Sequence, residues 1–324
     1  MKSKVTIRDV AYLSGVSIST VSRVVSGKTN VSRDTFNKVQ KAIEQTGYQP
    51  NYTAKALATN LTDTIAVIID RTPSQGFENS FFLDALNGIV TKLNEFEKDM
   101  ILVFTNPEDK HIDQGLKRLI NTNKIDACIK LSVVKDDKTL EYLIENDTPT
   151  VVVGRVEDSD VMTVNNDNKN AMKSATNHLI EKGNKKIAFV GGSIDYIVTL
   201  DRRDGFIEAM DKSNIEFDDN NFYYTEFTKH AGYELSKELI VNGFDAVACT
   251  DDLLAYGISK GYFENNKDID IVSFNNSYLS EIANIPISSV DINSKLLGEE
   301  AVNLLFNENN DKNIIVKSKL IIRS

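Results

Sequence analysis

Seven short, almost uninterrupted apolar runs recur along the chain, at residues 65–69, 100–104, 127–131, 150–153, 186–190, 246–249 and 270–274. A strand that is apolar on both faces must be covered on both faces, and parallel sheets flanked by helices provide that cover. The stretches between most of the runs, about 81–96, 111–121, 138–145, 168–182, 202–212, 231–241, 252–265 and 294–307, carry apolar residues at helical spacing. This alternation predicts parallel sheets wound on both sides over residues 62–324, a span long enough for two such units. Their boundary is expected near 155–165, with the chain crossing back near 275–295. The first unit then takes about 62–160 and 277–291, and the second about 161–276 and 292–324. Such sheets bind ligands beyond the carboxyl ends of their strands, so two facing units predict a cleft between them.

The first sixty residues differ in kind. They hold nine Lys/Arg against three acids, net +6, while the remainder holds 28 bases against 44 acids, net −16. A basic head on an acidic body reads either as a head that meets a polyanion or as a solvated basic face. Thr6 suits an N-cap with Asp9 at the third helical position, and Ile7, Val10 and Ala11 form an apolar stripe over a helix of about 6–13. Ser14-Gly15-Val16 breaks it, and Ser17 caps a second helix to about residue 25 with Val21, Val24 and Val25 facing inward. After the polar loop Ser26-Gly27-Lys28-Thr29-Asn30, Ser32 caps a third helix to about residue 46 that carries Phe36, Val39, Ala42 and Ile43. Helix, Gly-containing turn and helix is the helix-turn-helix plan, whose second helix enters the major groove. Ile18, Ser19 and Ser22 then face base edges, and Arg23 can make a bidentate contact with guanine. Thr6, Ser17, Thr20 and Ser32 place hydroxyls near helix N-termini, where they meet phosphate oxygens, cap the helix, or both.

Thr6-Ile7-Arg8-Asp9-Val10-Ala11, Gly15-Val16-Ser17 and Thr20-Val21-Ser22-Arg23-Val24-Val25 resemble the headpiece of the lactose/galactose-repressor (LacI/GalR) family. Gly47-Tyr48-Gln49-Pro50-Asn51 followed by Ala54-Lys55-Ala56-Leu57-Ala58 resembles that family's hinge. The resemblance implies a helix-turn-helix headpiece over 1–50, a hinge helix or linker over 51–61, and an α/β periplasmic-binding-protein-like core over 62–324. It implies DNA contacts from Asn30 and Lys55 as well, and makes Leu57 a wedge that enters the minor groove at the centre of a pseudo-palindromic operator. A linker residue packed on the next domain is the plainer reading of Leu57.

The resemblance continues through Gly191-Gly192, Arg202-Arg203-Asp204-Gly205-Phe206, Asp251-Asp252-Leu253-Leu254-Ala255-Tyr256-Gly257 and Ser273-Phe274-Asn275-Asn276. Carried over by position, it implies an effector cleft with Phe81 and Phe82 as an apolar wall and Arg155 and Arg202 as donors. Phe227 would be a stacking aromatic, and Asp251 and Asn275 polar groups that bind hydroxyls. Many relatives have an acid where this chain has Asn275. Asp252 reads as a helix N-cap and stays outside the site. Planar polar groups beside an aromatic face suit a sugar. Phe81-Phe82-Leu83-Asp84-Ala85-Leu86-Asn87-Gly88-Ile89 and Asn275-Asn276-Ser277 are most similar to maltose-operon repressors of low-GC Gram-positive bacteria. A homodimeric, sugar-responsive repressor follows, with no cofactor beyond that effector and with a protein coeffector left open.

No run of about 18 apolar residues occurs and no apolar stretch follows the charged N-terminus, so a cytoplasmic protein without a membrane span is expected. Cys128 and Cys249 lie in apolar runs and are expected as reduced core residues. His111, His178 and His230 show no metal-ligand spacing. A secreted sugar-binding protein would share the two-unit plan but not the basic head. An enzyme is not expected, since G-x-G-x-x-G, G-x-S-x-G and H-E-x-x-H do not occur. Residues 320–324 read as a last strand with no heptad tail, so a dimer is expected and not a coiled-coil tetramer.

Overall fold

The computed structural model describes residues 5–25, 31–48, 61–106, 111–157, 159–306 and 311–323. The chain forms two compact units, Met1–Asp63 and Thr64–Ser324.

The smaller unit holds three helices among its described residues, α1 (Ile7–Ser14), α2 (Ile18–Val25) and α3 (Arg33–Thr46). Asp9 Oδ2 accepts from both the backbone N–H and the hydroxyl of Thr6, each at 2.8 Å, which fixes the start of α1. Gly15 ends α1 with φ 68°, a left-handed conformation that would cost any β-carbon-bearing residue. Ser32 caps α3 by accepting from Thr35 N–H. Val10, Ala11, Val21, Val24, Val39 and Ala42 form the buried core. Phe36, expected in the same stripe, is 42% exposed; it stands one turn outside the few residues so small a core can cover.

In the larger unit, two six-stranded sheets repeat one plan. The first contains β1 (Thr64–Asp70), β2 (Asp99–Thr105), β3 (Ala127–Lys130), β4 (Thr150–Val153), β5 (Met162–Asn166) and β11 (Asn313–Val316). Its spatial order is β11-β5-β4-β3-β1-β2, with every pairing parallel. The second contains β6 (Ile187–Gly191), β7 (Phe222–Tyr224), β8 (Ala246–Cys249), β9 (Asp270–Phe274), β10 (Ile287–Asp291) and β12 (Lys319–Ile321). Its order is β12-β10-β9-β8-β6-β7, and only β12 runs antiparallel to its neighbour. The first sheet reverses its direction of progression between β1 and β3, the second between β6 and β8. These are the switch points at which open α/β sheets leave a crevice.

Helices α4 (Pro73–Glu78), α5 (Ser80–Glu95), α6 (Gln114–Asn121), α7 (Lys138–Glu145) and α13 (Ser294–Phe306) accompany the first sheet. Helices α8 (Asn168–Glu181), α9 (Ile197–Lys212), α10 (Lys229–Asn242), α11 (Asp252–Glu264) and α12 (Tyr278–Ile282) accompany the second. Residues 65–69 of β1 are fully buried, as continuous apolarity requires. Helices α5 and α13 pack backbone to backbone: a β-carbon at Gly88 would lie 2.0 Å from the Lys295 carbonyl oxygen, and one at Gly298 2.1 Å from that of Ala85.

The division between the two lobes differs from the expected one. β5 pairs with β4 through Val151–Met162, Val152–Thr163 and Val153–Val164, so residues 162–166 belong to the first lobe. β10 pairs with β9, so residues 287–291 belong to the second lobe and not the first. Conversely, α13 and β11 return to the first lobe, covering α5 and extending the edge beyond β5. The chain therefore crosses between lobes three times, after Asn166, after Asp291, and between Val316 and Lys319. At this junction the Asn166 amide donates to the carbonyls of Ile292 at 3.0 Å and Val316 at 2.9 Å, tying the three crossings together.

Candidate functional site

Two surfaces carry the expected residues, one in each unit. In the smaller unit, Val21 and Val24 turn inward and leave Ile18, Ser19, Ser22 and Arg23 exposed on one face of α2. Residues spaced i, i+1, i+4 and i+5 share a helical face, so these four form a single outward strip at the helix start. Ser17 Oγ accepts from Thr20 N–H and lies 2.8 Å from both the Ser19 and Thr20 hydroxyls. Thr6, Ser17 and Ser32 thus serve as caps while remaining exposed. Asn30, Lys55 and Leu57, with the expected hinge over 51–60, lie outside the described residues.

In the larger unit, the seven residues expected to bind an effector all line one cavity between the lobes, with a volume of about 90 Å³. Phe81, Phe82 and Arg155 come from the first lobe, and Arg202, Phe227, Asp251 and Asn275 from the second. The local chain explains each position. Asn79 caps α5 through Phe81 N–H and so sets the two phenylalanines at the helix start, ring centres 5.1 Å apart. Phe227 lies directly on the backbone after β6, where a β-carbon at Gly192 would sit 2.0 Å from the ring. Asn275 has φ 97°, a left-handed conformation that asparagine tolerates better than most residues. Its amide donates to Asp251 Oδ2 at 2.9 Å. An ionised acid at 275 would face that carboxylate with no proton to offer, which accounts for the amide here.

Asp251 corrects one expectation. It is Asp251, and not Asp252, that caps α11, accepting from Leu253 N–H at 2.7 Å. Asp252 is buried one residue inside the helix and accepts from Ser277 N–H and the Ser289 hydroxyl. Burial, reinforced by the neighbouring Asp252 charge, pushes the Asp251 carboxyl up to about 6, against the lowering effect of hydrogen bonds from Asn79 and Leu253 N–H. Arg202 is also buried, and burial lowers it to about 10, still charged at neutral pH. It donates to Asn168 Oδ1 at 3.0 Å and the Thr250 carbonyl at 2.6 Å, and its guanidinium lies 3.9 Å from the Phe274 ring centre. Arg155 faces across the cleft to Asp201 on α9, with its closest contact at 2.6 Å, and also pairs with Glu157.

Residues not expected from the sequence complete the site. Asn79 donates across the lobes to Asp251 Oδ2 at 2.8 Å. Arg71, the residue after β1, lays its guanidinium 3.7 Å from the Tyr196 ring centre. The Tyr196 hydroxyl donates to the Asp70 carbonyl at 3.3 Å. Backbone bonds from Lys135 N–H to Asp195 O and from Ile197 N–H to Val133 O join the lobes beside it. Behind Arg71, buried Lys130 is paired with Asp70 and, at 2.7 Å, with Asp137. Burial alone would lower this lysine, but the two carboxylates more than offset it and hold the ammonium charged. Arg71 directly follows β1 at the switch point, but its contacts arise only where the two lobes meet.

Cys128 and Cys249 are buried free thiols, which burial pushes up, and neither lines the cavity. Among the described residues no helix is long and apolar enough to cross a membrane.

Two family profiles match the chain. That of bacterial regulatory proteins of the lacI family covers residues 6–51, and that of periplasmic binding proteins and the sugar binding domain of the LacI family covers 62–323. The chain is 33% identical over 324 residues to the HTH-type transcriptional regulator MalR of Staphylococcus xylosus, spanning 98% of this chain and 95% of that protein. It is 31% identical over 322 residues to MalR of Streptococcus pneumoniae, spanning 98% and 97%. A solved complex of the transcriptional regulator CelR with cellobiose matches at a TM-score of 0.73 and 27% identity, covering 98% of this chain and 99% of that one.

Proposed function

The chain belongs to the LacI family of bacterial regulatory proteins, as a DNA-binding transcriptional repressor with a sugar-effector domain and not an enzyme, and from that premise we propose that its effector is maltose or a related glucoside. The observation that carries this reading is the convergence of Phe81, Phe82, Arg155, Arg202, Phe227, Asp251 and Asn275 on one cavity at two facing switch points. Charged and amide groups there supply planar donors and acceptors for vicinal hydroxyls, and the phenylalanine rings supply faces for sugar C–H groups. The identity to two MalR proteins and the likeness to the CelR–cellobiose complex support a glucoside.

The repressor acts in the cytoplasm as a homodimer on a pseudo-palindromic operator. Ile18, Ser19, Ser22 and Arg23 read base edges, Thr6, Ser17, Thr20 and Ser32 meet the phosphate backbone, and Asn30 and Lys55 add further DNA contacts. Leu57 from each protomer wedges into the minor groove. Sugar in the cleft changes the relative orientation of the lobes and so biases operator affinity. DNA must then change sugar affinity by the same factor.

The test is an operator titration at fixed salt on the promoter beside the protein's own gene, repeated with maltose, maltotriose, cellobiose and glucose. Operator affinity that shifts with a glucoside supports the reading, and affinity indifferent to all of them removes it. Leu57→Ala tests the wedge: it weakens operator binding and leaves sugar binding intact.

A further inference from the structure

The cavity between the lobes is too small for the ligand class it is built to hold. At about 90 Å³ it lies well below the roughly 300 to 1,000 Å³ of small-molecule sites. A second concavity, of about 540 Å³, lies against the same loops. Arg71 and Phe227 line both spaces and form the partition between them.

The partition is one largely buried arginine side chain, held by aromatic faces and a backbone carbonyl and, among the described residues, by no close carboxylate. The Arg71 guanidinium lies 3.7 Å from the Tyr196 ring centre and 5.2 Å from that of Phe227. Its NH1 group donates to the Asp70 carbonyl at 2.6 Å. Among the described residues Arg71 has no carboxylate at ion-pair distance, because the adjacent Asp70 is paired with Lys130. A planar cation therefore covers an aromatic face in a sugar-binding cleft, and an apolar face of a hexose stacks on an aromatic ring of the same kind. Arg71 lies after β1, so its side chain can rotate while the strand stays in place. A rotation of the side chain away from Tyr196 would join the two spaces and free the Tyr196 and Phe227 faces.

We propose that the cleft holds two sugar-ring positions in series, that Arg71 is the gate between them, and that the site selects glucosides of two or more rings over a single hexose. This rests on the glucoside reading above and adds the length of the ligand and the residue that senses it. The inner ring sits among Asp251, Asn275 and Arg202. The next ring displaces the Arg71 guanidinium and takes its place on Tyr196. Arg71 is thus an internal competitor for the outer position that also borders the inner one.

The experiment is isothermal titration calorimetry of the full-length protein and Arg71→Ala with glucose, maltose and maltotriose, with operator affinity recorded to show that the variant is folded. Maltose and maltotriose should bind the wild type more tightly than glucose does. In Arg71→Ala both should gain about fivefold relative to glucose, the loss of one cation–π competitor. Should Arg71→Ala fail to fold, Arg71→Lys, which keeps the charge and loses the planar stack, is read the same way. An equal loss for all three sugars makes Arg71 an ordinary contact and overturns the gate. Glucose binding the wild type as tightly as maltose overturns the second ring position. If no sugar binds either protein, it is the glucoside assignment that fails, and the gate with it.

Discussion

Asn79 and Asp251 face each other from opposite lobes, with the asparagine amide donating to the buried carboxylate at 2.8 Å. Asn275, from the same lobe as Asp251, donates to the same oxygen at 2.9 Å. The closed cleft thus places two amide donors on one carboxylate, and opening removes the one that comes from the first lobe. Asn79→Ala should favour opening and lower sugar affinity about tenfold, since a hydrogen bond to a charged group contributes ~1.5–3 kcal/mol. Calorimetric titration measures this, and an unchanged affinity would show that closure does not depend on this bond.

Asp251 gives the site a pH dependence. Its folded carboxyl holds a proton up to about 6, against a usual value of 3.8. The folded state therefore binds more protons than the unfolded state between roughly pH 4 and 6, and this group's contribution to stability falls as pH rises through that window. Sugar binding runs the other way, because an ionised Asp251 is the better hydroxyl acceptor. Affinity should drop as pH is lowered from 7.5 to 5.5, and Asp251→Asn should flatten that profile. A wild-type profile that is already flat would remove Asp251 from direct ligand contact.

Gly192→Ala tests the seat of Phe227. A methyl 2.0 Å from the ring forces the aromatic off the loop, and overpacking of this kind costs about 1–3 kcal/mol. The expected result is a modest loss of thermal stability, a lost sugar response and retained operator binding. Sugar binding at wild-type strength would mean that Phe227 does not touch the ligand.

Lys130 is buried between Asp70 and Asp137. Lys130→Met leaves two buried carboxylates without their cation, which should cost about 3–5 kcal/mol. At roughly 2–4 °C per kcal/mol this is about 10 °C in Tm, read by differential scanning calorimetry. Adding Asp70→Asn should recover part of the loss, and its failure to do so would point to lost packing and not to charge.

Arg23 is exposed beside Ser19 and Ser22 on α2. Arg23→Ala should cost about 1–3 kcal/mol of operator affinity, the worth of one bidentate base contact, with sugar affinity unchanged. A loss that is equal on operator and random DNA would assign Arg23 to a phosphate.

The strands with unbroken apolar runs were legible because burial on two faces leaves no other composition. β5 and β10 were not, because Asn165 and Asn166 interrupt one and Ser288 and Ser289 the other. The buried ones are satisfied by distant partners: Asn166 by two carbonyls, and Ser289 by Asp252 and Asn276. The misplaced lobe boundary follows from these hidden strands. The seven cleft residues could be reached through the family resemblance, which carries them over by position. Arg71, Asn79 and Tyr196 could not, since their contacts exist only once the lobes meet.

The three crossings at Asn166, Ile292 and Val316 mean that neither lobe is a continuous stretch of chain. A ribosome begins the first lobe at Thr64 but does not supply α13 and β11 until residue 316 has emerged, after β6 to β10 of the second lobe have already been made. The lobe started first stays unfinished until just before β12 completes the second. Its growing sheet must wait with β5 as an open edge and α5 uncovered, so a messenger truncated anywhere between residues 166 and 294 encodes an aggregation-prone fragment and no independent half of the sensor.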